Sequence, residues 1–171
     1  MAKGTAANCV ARLSEAIGST VAPAGFDRNP EIFGGDRVFR RFRRRHGWKV
    51  DIIDLAHRRM EPSFFDVGLF VCFQLEDYEH QLDGQSLVQL VGGDEYRLVT
   101  SFGFLHDWRC ARTARRAAND LSRSLHWFDR LATPRQCLDF LGTPESLSPG
   151  PGSPIYIAMR EHLLRADRQR P

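Results

Sequence analysis

His106-Asp107 is the first pair in this chain whose types and spacing would do chemistry, because an adjacent His and Asp hold the metal in HD-type phosphohydrolases. Such a site draws further His and Asp ligands from other helices. His46, His57, His80, His126 and His162 offer no matching spacing, so the preferred reading is a turn with Asp107 as a helix cap. Asp51, Asp54 and Asp66 are a second candidate, the acidic core of a restriction-type nuclease. That chemistry pairs two metal-binding carboxylates with a lysine on the same strand. No Glu-x-Lys is present, and the nearby lysine is Lys49. Neither a G-x-S-x-G elbow nor a G-x-x-x-x-G-K-[ST] phosphate loop occurs. The sequence therefore predicts no catalytic residue, no cofactor and no metal.

Cys9, Cys72, Cys110 and Cys137 are widely scattered, and no pair has C-x-x-C spacing. Neither a zinc ribbon nor a redox pair is indicated. Cys72 and Cys110 stand in apolar contexts and read as small buried residues. A nucleophilic cysteine would need a partner His, which the spacing does not place.

Arginine remains. All but two, Lys3 and Lys49, of the 24 basic residues are arginine. A GC-rich coding genome explains such a bias, and so does selection for bidentate recognition of carboxylate or phosphate. The run Arg37-Val-Phe-Arg-Arg-Phe-Arg-Arg-Arg45 carries Arg37, Arg40, Arg41, Arg43 and Arg44, with Trp48 close behind. Arg109, Arg112, Arg116, Arg123 and Arg130 form a second set at helical spacing. That stripe would span roughly 30 Å at 1.5 Å per residue. With Phe39, Phe42 and Trp48 the first set would suit single-stranded nucleic acid, through phosphates and stacking. The opposing reading is a partly paired surface: Asp51 and Asp54 would neutralise the strand arginines, and Asp120 lies near the stripe. A third reading is an acidic protein partner, since arginine is favoured at interfaces.

These side chains need elements to hold them. The 171 residues match one domain, and the net charge of +3 does not by itself imply nucleic acid. Residues 5–21 predict an amphipathic helix, with Val10, Leu13, Ile17 and Val21 on one face, ended by Pro23 and Gly25. Arg37–Arg44 reads as a first strand, although Val38, Phe39 and Phe42 would also share a helix face. Trp48–His57 reads as a second strand. Phe65, Val67, Leu69, Val71, Phe73 and Leu75 alternate strictly, so one face of a third strand is buried. Glu76–Gln85 reads as a loop. Ser86–Val91 and Glu95–Leu105 read as strands of a hairpin turning at Gly92-Gly93-Asp94, with Tyr96, Leu98, Phe102 and Phe104 sharing a face.

From Asp107 one helix is expected to reach about Leu131, burying Ala114, Ala118, Leu121, Leu125 and Phe128. Thr133-Pro134 starts a short helix that Gly142 ends. Residues 143–154 form a Pro/Gly/Ser linker, and 155–171 a last amphipathic helix with Ile155, Met159, Leu163 and Leu164 on one side. Docking of this helix on its own domain, residues 1–142, is the expected arrangement, with a partner as the alternative. The fold class is α+β: an antiparallel sheet of about five strands with N-terminal and C-terminal helices packed mainly on one face. The N-terminal segment, with one Lys and then Glu15 in an Ala-rich stretch, is a poor signal peptide, and no run approaches ~18 apolar residues. A cytoplasmic protein without a membrane partner is expected.

Asp36-Arg-Val-Phe-Arg-Arg, Trp48-Lys-Val-Asp-Ile-Ile-Asp-Leu and Phe64-Phe-Asp-Val-Gly-Leu-Phe-Val, closed by Trp127-Phe128, resemble an uncharacterised bacterial domain family of the domain-of-unknown-function 4304 kind. The resemblance covers roughly residues 8–141. The chain departs from the family pattern at Leu55-Ala56-His57, where Gln or Asn often follows the apolar run. The family brings no established activity. Some related small α+β domains are encoded beside bacterial toxins and are taken to be immunity proteins. The resemblance therefore implies a non-enzymatic protein-binding module, an immunity protein that blocks a toxin by steric occlusion. Inhibitors of nucleases are usually acidic, so a nuclease is the less expected target for this mildly basic chain. The alternative is a nucleic-acid-binding protein using the same arginines.

Overall fold

The computed structural model describes residues 2–29, 38–61, 64–76, 81–99, 106–146 and 150–169. Its element order is α1 (Ala2–Val21), a 3-10 turn (Ala22–Ala24), β1 (Asp27–Arg28), β2 (Val38–Arg45), β3 (Lys49–Met60) and β4 (Phe64–Leu75). Then come β5 (Gln81–Ser86), α2 (Leu87–Val91), β6 (Tyr96–Val99), α3 (His106–Ser124), α4 (His126–Asp129), α5 (Pro134–Leu141) and α6 (Pro154–Arg168). The class is α+β. All pairings are antiparallel, in the order β1-β2-β3-β4-β5, with β6 also on β4.

α1 forms where the three-and-four spacing demands it: Leu13, Ile17 and Val21 are fully buried, and Cys9 nearly so. Gly18 lets the helix settle on β2, since a Cβ there would stand 3.3 Å from Phe42 Cε1. Pro23 falls in the 3-10 turn, and Gly25, at φ 82°, closes it by donating to the Ala22 carbonyl. β2 and β3 are joined by a tight turn in which Gly47 takes φ 78° and the His46 N–H donates to the Lys49 carbonyl at 2.9 Å.

Register then sorts the side chains. Phe42, Ile53 and Val71 lie side by side, as do Leu55 and Leu69, so they share one face with Phe65, Val67 and Phe73. All are buried, in one cluster with residues of α1, α3, α4, α5 and α6. The other face carries Ile52, Asp54, Ala56, Asp66 and Cys72, also buried, which is why the alternation of Trp48–His57 is impure.

Four expectations are corrected. Within the segment read as a loop, Gln81–Ser86 is strand β5. Ser86–Val91 is no hairpin strand: Leu87–Val91 is helical, and Ser86 donates its N–H to Gln89 Oε1 at 2.9 Å, the reciprocal half of a capping box. Accordingly β6, described from Tyr96 to Val99, pairs with β4 and not with Ser86–Val91; residues 100–105, with Phe102 and Phe104, lie outside the described residues. Asp107 sits within the first turn of α3, which begins at His106, and does not cap it. The long helix ends at Ser124, with α4 following from His126, a break that lets Trp127 and Phe128 both enter the core. Trp127 meets Phe140 edge-on at 5.6 Å, and Phe128 lies 5.2 Å from Phe26.

Thr133 caps α5 by accepting from the Gln136 N–H, with Pro134 following. Ser153 caps α6 in the same way, accepting from Tyr156 N–H at 3.1 Å. Met159 and Leu163 of α6 are buried in the common cluster, and the helix packs against α5.

Candidate functional site

Alternation along β2 divides its arginines. Arg41 and Arg43 share the face of Asp54 and Ile52; Arg40 and Arg44 share the face of Leu55 and Asp51, beneath the helices. Arg41 reaches Asp54 with two bonds of 2.6 Å, a bidentate fork on a buried carboxylate. Arg44 donates to Asp51 Oδ2 at 3.1 and 2.8 Å and to the Ala24 carbonyl at 3.1 Å. Its guanidinium lies 4.7 Å from the Phe26 ring and 5.6 Å from the Phe128 ring.

Asp51 is the hub of this cluster. It is fully buried, with His46 Nε2 at 2.7 Å from Oδ2 and Lys49 Nζ at 2.7 Å from Oδ1. The lysine contact is a charge contact and not a directed hydrogen bond. Lys49 itself is 1% exposed. Burial and the neighbouring Arg28 hold the Arg40 pKa below its ordinary value. Trp48 is half-buried, and Arg43 borders a surface hollow with Asp27, Arg28 and Asn29. Arg37 lies outside the described residues.

The carboxylates weighed for metal chemistry are thus taken by cations: Asp51 by Arg44, Asp54 by Arg41, and Asp66 by Arg97 at 2.8 Å. Asp51 stands on the face opposite Asp54 and Asp66.

The helical arginines differ. α3 buries Cys110, Ala114, Ala117, Leu121 and Ser124, which turns Arg109, Arg112, Arg115 and Arg123 outward. None of these four has an ion-pair partner among the described residues. Trp108, 56% exposed, is the most exposed large apolar residue described, and the Arg112 guanidinium lies 5.4 Å from its ring. Arg116 is engaged locally: it donates to the Asp94 and Glu95 carbonyls, lies 3.9 Å from Asp120 and stands 4.6 Å over the Tyr96 ring. Tyr96 donates to Asp120 at 3.1 Å, and burial first, then Asp120, raise its pKa above the ordinary range. Arg130 pairs with Glu145 at 3.5 Å.

The two sets do not merge into one surface. α3 packs on the face of the sheet that carries Phe65 and Leu98, and its arginines point away from it; Arg41 and Arg43 sit on the reverse face. Sequence reasoning missed Trp108 and Arg115. The signal for Trp108 was its position one turn before Arg112. It also missed that Cys9 and Cys110 form a disulfide between α1 and α3, so Cys110 is buried but not a lone residue. With His106 they make the one group of possible metal ligands found among the described residues.

Comparison with protein-family models, with curated proteins and with solved structures returned no match for this chain.

Proposed function

We propose that this protein is a non-enzymatic protein-binding module whose contact surface is the outer face of α3. The observation that carries the reading is the set of Arg109, Arg112, Arg115 and Arg123, exposed along α3 without acidic partners among the described residues, with the open indole of Trp108 beside Arg112. Tryptophan and arginine dominate the energetics of protein interfaces, and an indole flanked by guanidinium groups is a ready anchor for a partner bearing carboxylates. The strand arginines Arg41 and Arg44 support the fold instead, because their charges are already matched by Asp54 and Asp51. The family resemblance makes the specific form of the proposal an immunity protein that blocks a bacterial toxin by occluding it, acting in the cytoplasm. The basic contact face fits an acidic target surface better than the basic cleft of a nuclease.

A second reading has an observation of its own. The same indole would stack on an unpaired base while the arginines follow phosphates over roughly 21 Å, the Arg109-to-Arg123 rise at 1.5 Å per residue. Affinity capture from the native host decides between them. The lysate is treated with nuclease, and the tagged protein is washed at low and at high salt. A single protein retained at high salt supports the binding module. Recovery of nucleic acid alone, lost as salt rises through counterion release, overturns it.

A further inference from the structure

Cys9 and Cys110 are 101 residues apart in sequence, yet their Cα atoms lie 5.5 Å apart and their sulfurs are joined. Both are 1% exposed. His106 stands one turn before Cys110 on α3, so both side chains leave the same helix face. Its Nε2 lies 3.4 Å from Cys9 Sγ and 3.7 Å from Cys110 Sγ. The Val99 carbonyl closes the group, 3.0 Å from the same Nε2 and 4.0 Å from Cys9 Sγ. A tetrahedral zinc-class ion, with metal–sulfur about 2.3 Å and metal–nitrogen about 2.0–2.1 Å, sets its sulfur and nitrogen ligands roughly 3.5–3.6 Å apart. The two observed nitrogen–sulfur distances straddle that value.

We propose that in the dithiol state Cys9, His106 and Cys110 bind one thiophilic divalent cation of the zinc class, and that disulfide and metal-bound forms are alternative states of one site. A thiol or phosphine reductant supplies two electrons, the sulfur–sulfur bond breaks, and two thiols form as the reductant is oxidised. The cation then takes both sulfurs as thiolates, releasing two protons to solvent, and takes the lone pair of His106 Nε2. In the oxidised state the Nε2–H donates to the Val99 carbonyl. In the metal state the ring proton sits on Nδ1, which faces Asp107 Oδ1 at 3.6 Å. A proton on Nδ1 leaves the Nε2 lone pair free to ligate, and the exposed Asp107 carboxylate, shared with Arg12 at 3.6 Å, lies near that proton without a direct hydrogen bond. The Val99 carbonyl or a water completes four-coordination.

The test uses the full chain, reduced with a phosphine, desalted and titrated anaerobically with Co2+. The expected result is a thiolate-to-cobalt charge-transfer band with tetrahedral visible bands, saturating at one equivalent and bleached by Zn2+. Oxidised protein gives neither. Cys9→Ser and His106→Gln each weaken uptake by at least about tenfold, while Cys72→Ser and Cys137→Ser, at the two buried cysteines outside the disulfide, leave it unchanged. Far-UV circular dichroism reports whether each form is folded. If reduction unfolds the chain, refolding on addition of the metal supports the site and failure to refold overturns it. Absence of the bands in folded, reduced protein also overturns it, as does their presence in oxidised protein, or uptake by folded Cys9→Ser as tight as that of the unaltered protein.

Discussion

Asp51 shows how one residue serves the fold where its type suggests chemistry. A buried carboxylate beside Lys49, Arg44 and His46 has the ingredients of an active site, but Lys49 is 1% exposed and Arg44 is covered by Phe26 and Phe128. Its role is to neutralise cations under the helical layer. Removing one partner from a buried ion cluster leaves the others uncompensated, at a cost of about 3–5 kcal/mol. Asp51→Asn should therefore lower stability by that order, read from the urea midpoint at neutral pH. A loss below about 0.5 kcal/mol, the range of a surface substitution, would contradict the buried-hub account. The pairing of Asp51 and Asp54 with strand arginines was legible in the sequence, because residues of adjacent strands on one face must meet. Which arginines remained unpaired was not, since that depends on helix packing.

At the level of elements, legibility followed the strength of the pattern. The strict alternation of Phe65–Leu75 and the periodicity of Leu13, Ile17 and Val21 have each become the expected element with the expected buried face. Leu87–Val91 went the other way. It is mostly apolar and is followed by Gly92-Gly93, but too short for period to choose between strand and helix, and the Ser86–Gln89 cap decided it. The disulfide was invisible for a different reason: closeness of residues 101 apart is a property of how α1 lies on α3. A cross-link closing a loop of that length stabilises by about 4–5 kcal/mol, chiefly by restricting the unfolded chain. Metal-free protein should accordingly lose stability of that order on reduction, measured as the shift in denaturant midpoint with and without reductant. An unchanged midpoint would show that the bond contributes nothing to holding the two helices.

Among the described residues two electrostatic characters stand out: on the sheet Arg41, Arg44 and Arg97 are matched by Asp54, Asp51 and Asp66, whereas on α3 Arg109, Arg112, Arg115 and Arg123 have no ion-pair partner. The molecule's buried acids give it an alkaline limit. Burial pushes the Cys137 thiol up to about 12 from an ordinary 9.0, and the Tyr96 phenol is raised from 10.0. Above the ordinary values the unfolded chain releases these protons while the folded chain keeps them. The unfolded state then binds fewer protons, and stability falls as pH rises. The free energy of unfolding, read from denaturant midpoints, should decline from about pH 9 upward, by roughly 1.4 kcal/mol per pH unit for each group titrating. Cys137→Ser should flatten the first part of that decline.

The central claim concerns the helix face, and charge reversal tests it most directly. Capture of the host partner is compared for the unaltered protein, for Trp108→Ala combined with Arg112→Glu on α3, and for Arg45→Glu on β2, an exposed strand arginine 3.4 Å from Glu76. All three should melt alike, because these side chains are exposed. The α3 variant should lose the partner and the β2 variant should keep it. Retention by the α3 variant, with loss by Arg45→Glu, would contradict the claim.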